Sequence, residues 1–187
     1  MLKLREISLG VKLKMEIFDL FDKNRIPLNK TMVRGSKVPE NCYRMVVHCA
    51  LFNKEGSKML IQKRLPTKNP YPDLWDFTCG GSVISGETSS QGVQRELIEE
   101  IGFNYDFSNS RPDFTFNFKE GCNDFYVILT DVDLNKLKLQ ETEVECAKWA
   151  SLEEILNMID SGQFIPYKKS LMEFIFEVKN SKRIIKD

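Results

Sequence analysis

One stretch constrains this chain more than any other: residues 81–103, GSVISGETSSQGVQRELIEEIGF. It sets Gly81 five residues before Glu87 and Glu87 seven residues before Arg95. Arg95 opens the run Arg95-Glu96-Leu97-Ile98-Glu99-Glu100-Ile101-Gly102-Phe103. Residues 88–102 read as a helix. Thr88, Ser89 or Ser90 can cap its start, and Gly102 stands where a helix ends in a left-handed residue. Glu96, Glu99 and Glu100 are spaced i, i+3 and i+4, so they share one face, while Val93, Leu97 and Ile101 form a separate apolar stripe. Like charges this close oppose the helix by a few tenths of a kcal/mol per pair. Their crowding makes sense if a cation sits among them, and an all-oxygen donor set selects Mg²⁺ or Mn²⁺ over Zn²⁺. A solvated acidic face is the competing explanation for the helix taken alone. For Arg95 it is an ordinary surface pair with Glu99 or Gln91, and for Glu87 a first-turn acid favoured by the helix dipole.

Taken whole, the pattern is G-x5-E-x7-R-E-U-x-E-E-x-G-U, where U is a bulky apolar residue. Its fixed identities would coincide by chance in on the order of one chain in a million. The chain resembles the Nudix hydrolases, which cleave diphosphates linked to another moiety with a divalent metal. That resemblance implies an α/β (α+β) fold, the Nudix αβα sandwich with a mixed central sheet. It implies Glu96, Glu99 and Glu100 as metal ligands, joined by a backbone carbonyl at Gly81. It also gives Arg95 and Glu87 supporting roles, with Arg95 holding the loop against the helix.

Away from this motif the chain alternates short strands with few helices. Residues 15–22 are a strand candidate and 25–29 its hairpin partner. Residues 43–52 read as a long buried strand, and 57–63 as its antiparallel partner after the turn at 53–56. A proline-bearing loop at 65–72 leads to extended residues 74–78. Further strands are expected within 111–118, 124–129 and 145–149. Helices are expected over 151–159, with a capping box of Ser151 and Glu154, and over 170–178. The domain boundaries expected are an extension over 1–14 and one domain over 15–187.

Balanced charge, with Lys+Arg and Asp+Glu at 27 each, argues against a dedicated nucleic-acid binder. No run is long enough for a membrane helix, and the N-terminus lacks the apolar stretch of a signal peptide. Five cysteines without CxxC spacing point to reduced thiols and a cytoplasmic chain. Oligomeric state stays open, with a homodimer among the alternatives.

The segments ALFNKEGSKMLIQKRLPTKNPYPDLWDFTCGGSV and MEIFDLFDKNRIPLNKTMVRG resemble one branch of the family. It contains isopentenyl-diphosphate isomerases and their hydrolase relatives. The isomerase alternative would use Cys79 and a late acid near Glu143. Against it, Arg44 stands where a ligand histidine would be expected, and Gly81-Ser82 replaces a Gly-His step. The single histidine, His48, sits in an apolar strand and reads as a core residue. A non-catalytic nucleotide-binding module is the second alternative, disfavoured because all three acids are present.

The expected chemistry is attack of water on a diphosphate phosphorus in a small, nucleotide-like substrate. Glu99, Glu100 and Glu143 are the candidates for the general base. Glu143 is preferred among Glu141, Glu143 and Glu145, which alternation would place on one strand face. Lys63 and Arg64 are weaker candidates for phosphate contact. Tyr71, Trp75 and Phe77 could stack on a base or fill the core.

Overall fold

In a computed structural model that describes residues 16–180, the chain builds a mixed sheet with helices on both faces. The strands are β1 (Ile17–Phe21), β2 (Pro27–Val33), β3 (Arg44–Phe52), β4 (Met59–Arg64), β5 (Trp75–Asp76), β6 (Cys79–Ser82), β7 (Phe114–Phe118), β8 (Gly121–Leu129) and β9 (Val144–Ala150). The helices are α1 (Ser89–Ile101), α2 (Leu152–Asp160) and α3 (Lys169–Val178). The extension expected over residues 1–14 lies outside the described residues.

β3 and β8 run parallel through the middle of the sheet, and the remaining pairings are antiparallel. Period-two alternation sorts the core into two layers. Val47, Cys49 and Leu51 of β3 pack with Leu60, Tyr126 and the α1 stripe of Val93, Leu97 and Ile101. Ala50 and Phe52 point the other way, with Met59, Ile61, Phe125 and Val127, against Ile155, Met172, Ile175 and Phe176 of α2 and α3. Ser151 caps α2 in the expected capping box with Glu154.

The hairpin expected between the third and fourth strands forms, but it barely pairs. β3 and β4 meet only at Phe52 and Met59. Beyond that point they splay, and β6 takes up the vacated edge of β3, from Val46–Ser82 to Cys49–Cys79. β4 turns to β9 and β5. Thr78, fully buried, fills the fork: its Oγ1 accepts from Leu51 N (3.0 Å) and donates to the Leu60 carbonyl (2.5 Å). Two backbone groups that the splay would orphan are thereby satisfied.

The β1–β2 hairpin forms as expected, though its second strand starts two residues later and runs longer. It has its own small core of Phe18, Leu20, Met32, Val38 and Cys42. Asp19 joins it to the loop before α1, accepting from Ser85 Oγ (2.6 Å) and Gly86 N (2.8 Å). At its turn, Arg25 reaches the fully buried Asp124 on β8 (2.6 Å).

Candidate active site

The site is built where β6 turns into α1. Thr88 is the residue that caps the helix: its side chain accepts from Gln91 N while Gln91 Oε1 accepts from Thr88 N (2.8 Å). Gly102 closes the other end with φ 70°. The apolar stripe fixes the rotation of the helix, which swings its polar face toward β6.

Arg95 organises that face. Its Nε and Nη2 donate to Glu87 (2.8 and 3.1 Å), and Nη2 also donates to the Ser82 carbonyl (3.0 Å). Nη1 donates to Glu96 Oε1 (2.8 Å) and Glu99 Oε2 (3.0 Å). A guanidinium has five donors, and all are spent here. Burial alone would loosen its proton, but Glu87 and Glu96 outweigh it and hold the pKa above its ordinary value. Glu87 Oε2 in turn accepts from Ile84 N (3.2 Å), so the loop is tied to the helix.

Glu100 is buried and Glu96 mostly so, whereas Glu99 is half-exposed beside Arg95. A Cβ added at Gly81 would lie 2.1 Å from Glu96 Oε1, so a larger residue there would displace that carboxylate. Burial lifts the Glu96 carboxyl from 4.5 to about 7; Arg95 opposes the rise, and Glu99 and Glu143 add repulsion. Glu100 is pushed well above its ordinary value by burial first, then by Glu96, Asp76 and Glu143. Its carboxylate accepts a hydrogen bond from Gln62 Nε2 (3.1 Å). Among the described residues, no group of three His, Cys, Asp or Glu side chains is gathered as a ready metal cluster. Arg95 draws Glu96 and Glu99 toward itself instead.

Above these acids opens a cleft of about 620 Å³ between the β1–β2 hairpin, β3, β6 and the 68–71 loop. Its lining includes Gly80, Gly81, Glu143 and Asp76 together with Arg34, Arg44, Arg64 and Lys68. Glu143 lies in a turn, not on a strand: β9 begins at Val144, and a bulge lies opposite Lys63 and Arg64. The expected common face for Glu141, Glu143 and Glu145 is therefore absent. Glu143 meets Lys68 (2.8 Å) on the cleft wall, while Glu145 meets Lys63 (3.0 Å). Lys63 also binds Asp73 (2.7 Å) and is not part of the cleft lining. Arg64 is, held by the Pro70 and Tyr71 carbonyls and facing Asp76 at 3.7 Å. Tyr71 lies on the cleft wall as well, Trp75 carries the Lys148 ammonium over its ring at 4.5 Å, and Phe77 is fully buried.

Two residues here escaped the sequence reading. Asp76 is buried, accepts from Tyr167 Oη (3.1 Å) and Phe77 N (2.8 Å), and is raised to about 6, chiefly by burial. Its only signal was an acid inside an otherwise apolar run, LWDF. Asp19 could not be linked to the loop at 85–86 without knowing the hairpin's position. His48 stacks on Phe125 (4.9 Å), and burial lowers it to about 4, so its imidazole is neutral. Among the described residues its Nδ1 has no hydrogen-bond partner, and Gly80 leaves it room: a Cβ there would sit 2.5 Å away. Cys79 is fully buried, cross-strand from Cys49. Burial, the Cys49 thiol and the nearby Glu100 and Glu96 push its thiol well above the ordinary 9.0.

The fold is an αβα sandwich around a mixed sheet, with an acidic helix face beside a cationic cleft. A family model described as the NUDIX domain matches residues 43–169. An uncharacterized Nudix hydrolase of Listeria monocytogenes is 39% identical over 170 residues, spanning 91% of this chain and 99% of the relative. An RNA pyrophosphohydrolase of Rickettsia bellii is 29% identical over 166 residues, spanning 79% and 94%. The crystal structure of DR0079 from Deinococcus radiodurans superposes with a TM-score of 0.67 at 24% identity, covering 87% of this chain and 98% of that one. The chain belongs to the Nudix family, as a hydrolase of the pyrophosphohydrolase kind. Members of the family generally use divalent ions such as Mg²⁺ or Mn²⁺ and act on small nucleotide-like diphosphates. No helix among the described residues is long and apolar enough to cross a membrane.

Proposed function

We propose that this chain hydrolyses the diphosphate linkage of a nucleoside diphosphate or a related small substrate, by attack of water at phosphorus. It does so as a single domain over residues 15–187, in the cytoplasm, and as a hydrolase member of the isomerase-containing branch. The observation that carries this is the pair of carboxylates, Glu100 buried and Glu96 mostly buried, set behind a cleft lined by four cationic side chains. Two interior acids this close repel, and each holds its proton tightly. A hard cation offsets that repulsion, and the donors present are all oxygens, so the site fits Mg²⁺ or Mn²⁺.

Glu96, Glu99, Glu100 and the Gly81 carbonyl would hold the ion, with Glu99 leaving Arg95 to do so. Once bound, the metal supplies Lewis acidity and offsets charge developing on the phosphate oxygens. Arg95 and Glu87 keep the loop and helix in register. Arg64 and Lys68 line the cleft and attract the phosphates. Glu143 takes the proton of the attacking water. Of the acids proposed for that role it is the one on the cleft wall, since Glu100 is enclosed and Glu99 faces Arg95.

Two features favour hydrolysis over isomerisation. Cys79 is shut in the core with its thiol protonated, which suits packing better than proton transfer at carbon. Arg44 donates to Ser82 Oγ (2.9 Å), so the positions where the isomerases carry ligand histidines hold an arginine–serine pair. The test is to incubate the protein with Mg²⁺ in ¹⁸O-labelled water. The substrates are nucleoside diphosphates, nucleotide sugars, dinucleoside polyphosphates and isopentenyl diphosphate. One ¹⁸O atom in a released phosphate or nucleotide supports the proposal. Conversion of isopentenyl diphosphate to its allylic isomer without phosphate release refutes it.

A further inference from the structure

Four cations line the cleft, and three already have a carboxylate. Arg34 meets Glu16 at 3.0 Å, Arg64 faces Asp76 at 3.7 Å, and Lys68 meets Glu143 at 2.8 Å. Arg44 is the exception. Among the described residues no carboxylate oxygen lies within 4.0 Å of its guanidinium, and its hydrogen bond goes to the neutral Ser82 hydroxyl. The group is half-buried, and burial lowers its pKa; Glu120 partly offsets this, and Arg34 adds a smaller lowering. Glu120 shares this end of the cleft but is solvent-exposed, where water screens its charge. A half-buried guanidinium with no carboxylate in contact carries a desolvation cost that an arriving anion recovers.

The group is also held in place. Its Cζ lies over the Phe118 ring, 5.5 Å from the centroid. Ser82, its partner, is fixed by pairing with Val46 and by the Arg95 donation to its carbonyl. Arg44 is thus anchored on the cleft wall through Ser82, the residue that follows Gly81.

A free outer phosphate differs in charge from one bridged on both sides. It carries about 1.5 to 2 negative charges at neutral pH and offers three strong acceptor oxygens. A bridged phosphate carries one charge and offers two such oxygens. A rigid guanidinium fork distinguishes the two better than a flexible ammonium does. Resting on the diphosphate reading above, we propose that Arg44 grips the outer phosphate of substrates ending in a free diphosphate. It thereby selects them over substrates whose diphosphate is capped at both ends.

The experiment is calorimetric binding in Mg²⁺ of two hydrolysis-resistant probes to the full chain. They are the α,β-methylene analogue of ADP, which has a free end, and that of ADP-ribose, which is capped. The wild-type protein should prefer the free-ended probe. Arg44→Gln should weaken the free-ended probe by roughly 10- to 100-fold, the loss expected for a charge-assisted pair, and leave the capped probe within about threefold. Arg44→Lys should fall between, keeping charge without the fork, and it carries the test if the glutamine variant unfolds. An equal loss for both probes, as a purely structural role would give, overturns the proposal. So does an unchanged affinity for the free-ended probe, or its failure to bind the wild type. Because binding is read, a lack of hydrolysis by a protein that still shows this preference would count against the proposed activity alone.

Discussion

Glu96→Gln should make the metal-free protein more resistant to rising pH. In the folded chain burial carries this carboxyl from 4.5 to about 7. Between those two pH values the folded state holds a proton that the unfolded state has released. Stability therefore falls as pH rises through this window, and the full loss is present above about pH 7. At ~1.4 kcal/mol per pH unit the loss assigned to Glu96 is about 3 kcal/mol, a large part of the ~5–15 kcal/mol that holds a domain together. Asp76, raised to about 6, and Glu100 act in the same direction. Glutamine keeps an oxygen to accept from Arg95 and removes the titration. Urea unfolding in EDTA from pH 5 to pH 8 measures the effect. The wild type should lose several kcal/mol across that range, and the variant about 3 kcal/mol less. Mg²⁺ at pH 8 should return most of the wild-type loss and much less in the variant. Parallel curves, agreeing within ~1 kcal/mol, would refute the reasoning that Glu96 is a strained interior acid awaiting a cation.

Two further outcomes follow from side chains outside the acids. Asp124→Ala strands Arg25 and removes the acceptor for Ser89 Oγ and Thr115 Oγ1, each at 2.6 Å, so thermal melts should show a loss of about 3–5 kcal/mol. Cys79→Ala should cost ~1–2 kcal/mol of stability, as a small truncation in a packed core. It should leave turnover within about threefold, since an enclosed, protonated thiol has no part in the hydrolysis; a steady-state assay showing an inactive but folded variant would return attention to the isomerase.

What the sequence made legible was largely local. The helix at residues 88–102 could be placed from its caps and its apolar stripe, and Thr88 and Gly102 occupy those roles in the fold. Most strands of the central sheet were placed within a few residues, though β6 was not, its two glycines carrying no apolar pattern. Non-local pairing was hidden. Nothing in the turn at residues 53–56 says that β3 and β4 part after one pair, because the cause is Thr78, a wedge more than ten residues downstream. The acids at 141, 143 and 145 obey period two on paper, but a turn and a bulge break the period where they stand. Lys63 and Arg64 are neighbours in sequence, yet one joins an ion-pair cluster with Asp73 and Glu145 and the other lines the cleft. Asp76 and Arg44 drew little notice because their significance is relational. One gains it from the acids buried near it, and the other from the carboxylate it lacks.

The measurement that bears most directly on the central claim is product release from a hydrolysable diphosphate such as ADP. It should be followed by mass spectrometry for the wild type and Glu100→Gln, with Mg²⁺ and with EDTA. The expected result is turnover by the wild type that stops in EDTA and returns with added Mg²⁺. Glu100→Gln should stay folded by circular dichroism and fall by on the order of a thousandfold or more, as when a metal-holding carboxylate is lost from a phosphoryl-transfer site. Undiminished turnover in EDTA, or a Glu100→Gln variant as active as the wild type at saturating Mg²⁺, would contradict it.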